Sequence, residues 1–393
     1  MKMNKLFASV NAIAFAVGVS ASAQAAVFNG EGASLPERAY TGNVNATATP
    51  PAPIADSIFG QYNADPANAA HQATYAGTGS GAGKSSIIAN TKQFAGTDSP
   101  FTQQNYADFL AGAGGTAHVK PVQVPAIAGS VAVVYNIGAS TATINLTSVQ
   151  LAKIFTGLIT NWNQVGGPNL AIKLVGRTSG SGTTFSFLNH LNKVIQTNLS
   201  QFPSKNILVK EVYTAGVTTP STTKKADGTD IKSNQDLITV VNATAGAIGY
   251  AEAANAYATT GTKIAQINSL LPTTPTTTFV TDANIVVGGA IDGATNNPDG
   301  SAKVVTLTGT PASVTLVNPS AYANPAGGYP IVAISYLLTY TNNNGDAAKV
   351  AALKRLINSP STKFSLLSTN AKKGFSALPV TTKVTTAINQ IVN

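Results

Sequence analysis

The sequence predicts an α/β protein folded as two lobes, and two observations carry that expectation. Strand-like and helix-like segments alternate: Thr74-Tyr75-Ala76, a glycine loop, a helical stretch at 85–89, then Gln93-Phe94-Ala95. Such alternation is the grammar of α/β folds. Two long apolar, β-branched runs, 122–136 and 329–341, also stand far apart in the chain. Each suits a strand buried on both faces, and each can carry the chain from one lobe into the other. The crossings are expected near 122–134 and 322–332. Lobe one would then comprise 26–125 and 329–393, and lobe two 126–328, with a β-rich insertion at about 260–325.

The remaining elements follow in order. The stretch 47–53 is rich in Pro and Ala and reads as a loop. The run VQVPAIAGSVAVVYN at 122–136 reads as two β-branched stretches separated by Ala-Gly-Ser. Residues 147–155 form a helix, because Thr147 and Gln150 have capping-box spacing and Leu151, Ile154 and Phe155 share a face. A strand is expected at 171–176 and a long helix at 184–202. A glycine-containing strand is expected at 245–251, near a cleft surface. Within the Thr-, Asn-, Pro- and Gly-rich region 260–328, 284–287 and 303–307 look strand-like. Ala347, Val350, Leu353 and Leu356 repeat at helical spacing in 346–357.

Composition narrows the function. Of 393 residues, 44% are hydrophobic and only 10% charged, against a charged fraction of roughly 25% in ordinary soluble domains. The polar surface must therefore come from Thr, Ser, Asn and Gln. With no cysteine, disulfide scaffolds, iron–sulfur clusters, thiolate zinc sites and thiol nucleophiles are excluded. Lys2 and Lys5 precede an apolar run from 6 to 19 that ends in Ala21-Ser22-Ala23-Gln24-Ala25. This is the pattern of a secretory signal peptide cleaved near Ala25. No later stretch is long and apolar enough to span a bilayer. Net charge is +9, but the lysines are scattered apart from Lys224-Lys225 and Lys372-Lys373, which argues against nucleic acid.

Three segments rich in Gly, Ser and Thr stand at predicted helix entrances: GEGASLP from Gly30, GTGSGAGKSS from Gly77 and RTSGSGTT from Arg177. Backbone N–H groups and hydroxyls at such places suit a small oxyanion. The second imitates a nucleotide-binding loop but carries Thr78 where that motif requires glycine. In the third, Arg177 precedes Ser181-Gly182-Thr183 and could supply a two-pronged contact to an anion. A helix cap beside a surface arginine fits the same residues. Asp98, in GTDSP, would repel an anion unless the anion carries a proton to donate. A buried acceptor there would select phosphate, with its P–OH, over sulfate. An Asx-turn cap before Pro100 is the alternative.

At these residues the chain resembles the PstS-type periplasmic phosphate-binding proteins of phosphate ABC importers, and among them the secreted DING-like branch. The matching stretches are GEGASLPERAY (30–40), YAGTGSGAGKSSIIANTKQFAGTDSP (75–100), VAVVYNI (131–137), LTSVQLAKIFTGLITNW (146–162), GRTSGSGTTFSF (176–187) and AIGYAEAANA (247–256). The resemblance implies a type II periplasmic-binding-protein fold, two α/β lobes joined by a two-segment hinge with the ligand in the cleft. It also implies phosphate contacts at Ser34, the N–H of Leu35, Ser80, Asp98, Arg177, Ser181, Gly182 and Thr183. A monomer with no cofactor, no metal and no catalytic residue is expected. It would act in the periplasm or outside the cell and deliver inorganic phosphate to the permease of an ABC importer. A secreted phosphatase is the alternative, because some DING-like relatives are described as such. His71, His118 and His190 match no metal-ligand spacing and read as packed or surface residues, as Trp162 and Phe185 read as packing.

Overall fold

The computed structural model describes residues 27–42, 51–177, 179–213, 217–218 and 220–393. The expected signal peptide and the first part of the 47–53 loop lie outside the described residues.

One sheet runs through the molecule in the order Ala73–Ala76, Phe28–Gly32, Phe94–Thr97, Val332–Tyr340, Pro121–Tyr135, Ala247–Glu252, Lys173–Leu174. The first three strands are parallel, paired Phe28 to Ala73 and Gly30 to Phe94. Val332–Tyr340 joins them antiparallel, with Tyr336 opposite Thr97. The strand Pro121–Tyr135 links the two halves of this sheet. Its residues 121–130 pair with Val332–Tyr340, and its residues 131–135 pair with Ala247–Glu252. All fifteen of its residues are buried, as a near-continuous apolar run requires when both faces are covered. The chain does not break at Ala128-Gly129-Ser130 as the sequence suggested. Those residues keep ladder register with Val332–Ile334. The irregularity falls instead at Ala126, left unpaired between Pro125 opposite Tyr336 and Ile127 opposite Ser335. A proline has no N–H to give a ladder and is tolerated at such a bulge.

Local signals set several elements. Thr147 caps the helix Ser148–Phe155 through the full capping box with Gln150. Asp346 caps Ala347–Ile357 by accepting the Lys349 N–H. Trp162 is fully buried and donates from its indole Nε1 to the Gly246 carbonyl at 3.0 Å. Phe185 is buried as well.

Four expectations need correction. The helix of the second glycine loop starts at Ser80, not near Ser85, and includes Gly81 and Gly83. Glycine disfavours helix, but here the absence of side chains lets the first turn lie against Gly180 and Gly32. The strand at 171–176 shrinks to Lys173–Leu174. The long helix is Gly182–Thr197, with only a short 3-10 turn at Leu199–Gln201 beyond it. The Ala247–Glu252 strand is buried at every position instead of lying at a surface.

The Thr- and Asn-rich region forms two small antiparallel pairs, Ile285–Val287 with Thr315–Val317 and Gly289–Asn296 with Ala302–Thr306. These pack on the helix Gly182–Thr197 through buried amides. Asn189 Nδ2 donates to the Pro319 carbonyl, and Asn192 Nδ2 to that of Gly300. Gln123 ties the same region to the long central strand by donating to the Thr315 carbonyl at 3.1 Å. Buried amides without such partners would each cost ~1–3 kcal/mol.

Candidate functional site

The site forms where the parallel strands end, the position in open α/β sheets at which loops and helix N-termini face a crevice. Phe28–Gly32 leads into Ser34 and Leu35, Ala73–Ala76 into the loop before Ser80, and Phe94–Thr97 into Asp98. Short hydrogen bonds lock these loops together. Gly79 N–H donates to the Gly32 carbonyl at 2.6 Å, and Ala33 N–H to that of Gly96 at 2.8 Å. The buried Glu37 carboxylate accepts the Gly77 N–H at 3.0 Å.

From the other half of the sheet, the helix Gly182–Thr197 points its N-terminus at these loops. Ser181 caps it by accepting the Thr184 N–H at 3.1 Å. The junction is tight. Ser80 Oγ accepts from the N–H of Asp98 at 3.0 Å and from the N–H of Gly182 at 3.1 Å, and lies 3.5 Å from Asp98 Oδ2. A Cβ on residue 182 would lie 2.4 Å from Asp98 Cβ and 2.5 Å from Ser80 Oγ, so only glycine fits. Arg177 arrives beside them, its Nη2 donating to the Lys232 carbonyl and lying 3.2 Å from where a Cβ of Gly79 would stand.

Ser80, Asp98, Arg177, Ser181, Gly182 and Thr183 are therefore brought into one buried cluster. Ser34 and Leu35 are also buried but reach it less directly. Ser34 Oγ accepts from Asn234 Nδ2 at 3.2 Å, and Leu35 packs against Gly129. Among the described residues no hydrogen bond joins either of them to Ser80 or Asp98.

Several polar atoms of the cluster lack a protein partner although buried: Asp98 Oδ1, Arg177 Nε and Thr183 Oγ1. Buried groups of this kind ordinarily take a partner from the protein, from water or from a ligand. Burial pushes the Asp98 carboxyl up to about 7, while the nearby Ser335 and Ser80 hydroxyls and the Arg177 charge act the other way. Ser335 Oγ makes no well-formed hydrogen bond but lies close enough to favour the charged form. Burial also lowers Arg177 from its ordinary value, opposed by Tyr250, Asp98 and Glu211. One buried guanidinium, one buried carboxyl, several hydroxyls and a helix N-terminus can hold a small tetrahedral oxyanion. The carboxyl admits it if the anion brings a hydrogen.

Sequence reasoning missed Asn234, Ser335, Ser99 and Glu211. Of these only Ser99 adjoined a recognised motif. Glu211 sits in a segment without periodicity, and its carbonyl accepts the Ser181 N–H at 3.0 Å.

Fold and cleft define a two-lobed binding protein of the type II periplasmic-binding fold. The chain belongs to the PBP superfamily: the model of the PBP superfamily domain matches residues 37–358. It is similar to alkaline phosphatase L of Pseudomonas aeruginosa PAO1, 32% identical over 276 residues and 67% of each chain. It is also similar to the phosphate-binding protein PstS of Pasteurella multocida, 36% identical over 159 residues, 38% of this chain and 42% of that one. Among solved structures, a high-affinity periplasmic phosphate-binding protein, PfluDING, bound with phosphate, shares the fold with a TM-score of 0.58 at 22% identity over 90% of each chain. The phosphate-binding protein from Stenotrophomonas maltophilia does so with a TM-score of 0.57 at 22% identity, over 84% of this chain and 82% of that one.

Proposed function

We propose that this protein captures inorganic phosphate reversibly and without covalent chemistry, between a lobe of residues 26–125 and 329–393 and a lobe of 126–328. Its ligands are Ser80, Asp98, Arg177, Ser181, Gly182 and Thr183, with Ser34 and the N–H of Leu35 completing the shell. The observation that carries this reading is the buried junction of Ser80, Asp98 and Gly182, beside which Asp98 Oδ1, Arg177 Nε and Thr183 Oγ1 have no protein partner. Asp98 accepts the P–OH hydrogen, and the donors around it take the remaining oxygens. Export follows cleavage near Ala25, and the bound anion is delivered to the permease of an ABC importer. Among the described residues no helix is long and apolar enough to cross a membrane.

A phosphatase is the second reading, favoured by the 32% identity to alkaline phosphatase L. Ser80 would be its nucleophile, because Asp98 stands 3.5 Å away as a base, a neighbour not foreseen from the sequence. Against this, Ser80 Oγ already accepts two backbone N–H bonds. Those contacts draw electron density away from the oxygen that would have to attack.

One preparation tests both readings. Titration with inorganic phosphate should show one site per chain, and p-nitrophenyl phosphate should not turn over. Saturable turnover abolished by Ser80→Ala would replace the first reading with the second, and absence of phosphate binding would overturn the first.

A further inference from the structure

We propose that Lys84, Ser99 and Glu211 form a clasp that holds the cleft shut over its anion and sets the rate of release, a role that rests on the phosphate reading above. Lys84 Nζ lies 3.1 Å from Glu211 Oε1 and 3.2 Å from Ser99 Oγ, and Ser99 Oγ donates to the same Glu211 oxygen. Lys84 and Ser99 belong to the half of the sheet that carries Asp98, and Glu211 to the half that carries Ser181. The contact therefore bridges the cleft.

The burial of its lysine separates it from the other ion pairs among the described residues. The Lys84 side chain is 5% exposed, whereas the lysines of the other pairs range from 23% to 60%. Exposed pairs contribute little, but breaking a buried one strands a charge.

Each clasp residue is also geared to a residue of the anion site. Lys84 is one helical turn from Ser80, Ser99 follows Asp98, and the Glu211 carbonyl holds the Ser181 N–H at 3.0 Å. Separating Glu211 from Lys84 must therefore draw Ser181 and Gly182 away from Ser80 and Asp98. On the outer side, Lys84, Ser99 and Glu211 line a cavity of about 450 Å³ that also includes Phe185 and Asp292. This cavity is the vestibule into which the anion passes once the clasp parts.

The test is the loss of radiolabelled inorganic phosphate from the loaded protein after a chase with unlabelled phosphate, for wild type, Lys84→Met, Glu211→Gln and the double variant. Release at least about fivefold faster in each single variant is expected, with the double no faster than the faster single, because affinity differences reside mostly in dissociation. Smaller effects, or a double variant that multiplies the two, would overturn the clasp. If Lys84→Met does not fold, Glu211→Gln at the more accessible end decides by the same threshold. If wild type itself retains no phosphate, the phosphate reading fails, and the clasp is judged by small-angle scattering of ligand-free protein. Both variants should then have a larger radius than wild type, and equal radii would overturn the proposal.

Discussion

Asp98→Asn tests the selectivity argument at its source. Sulfate presents four acceptor oxygens and no hydrogen, so it can meet Asp98 only if that carboxyl is protonated or if two negative groups are pressed together while buried. Asp98 is 1% exposed, and burial pushes its carboxyl up to about 7. Protonating it for sulfate therefore costs ~1.4 kcal/mol for each pH unit above that value. Monohydrogen phosphate supplies its own hydrogen and bears no such cost. The ratio of phosphate to sulfate affinity should climb about tenfold per pH unit above neutrality. The climb should level off where forcing sulfate against the ionised carboxylate, a like-charge contact that costs several kcal/mol, becomes the cheaper route. Below neutrality Asp98 is already protonated and the ratio should flatten. An asparagine cannot ionise, so Asp98→Asn should lose the slope and bring the two affinities close together. Competition calorimetry with phosphate and sulfate at several pH values between about 6 and 9 measures this directly. A wild-type ratio independent of pH, or a slope that survives in Asp98→Asn, would refute the assignment of Asp98 as acceptor.

Three further outcomes are expected. Arg177→Ala should weaken phosphate binding by ~2–5 kcal/mol, as loss of one partner of a desolvated charge pair does, and calorimetry that finds near-wild-type affinity would place Arg177 outside the pocket. Gly182→Ala should abolish detectable binding while the protein stays folded by circular dichroism, because its Cβ would intrude to 2.4 Å from Asp98 and 2.5 Å from Ser80. The third outcome concerns pH and stability. Burial raises Asp98 to about 7 and Glu252 to about 8, so the folded protein holds these protons more tightly than the unfolded chain. The stability they contribute is complete below about pH 4 and is lost as pH rises through 7 and 8, on the order of 4 kcal/mol for Asp98. Thermal melts of ligand-free protein should therefore decline from about pH 5 to about pH 8, and less steeply in Asp98→Asn. Equal slopes would contradict the burial of an ionisable Asp98.

The sequence alone determined what rests on local physics. Thr147 and Gln150 stand three apart, and that spacing by itself closes a capping box. Ser181 caps the helix it precedes, and the near-continuous apolar run at 122–136 suits a strand covered on both faces. The residues that converge on the candidate site were legible as candidates because glycines, hydroxyls and an arginine at helix entrances suit an oxyanion, although the same residues also suit helix caps. Tertiary structure alone decided how those pieces meet. Nothing in residues 77–83 says that a helix begins at Ser80, because glycine-rich sequence disfavours helix until the rest of the fold lies against its first turn. Nothing local joins Ser80 to Gly182 or Lys84 to Glu211 either, since pairing across the cleft depends on where the long central strand sets its two halves. A buried charge finds its partner by position in space, and chain order carries no record of that position until the sheet is assembled.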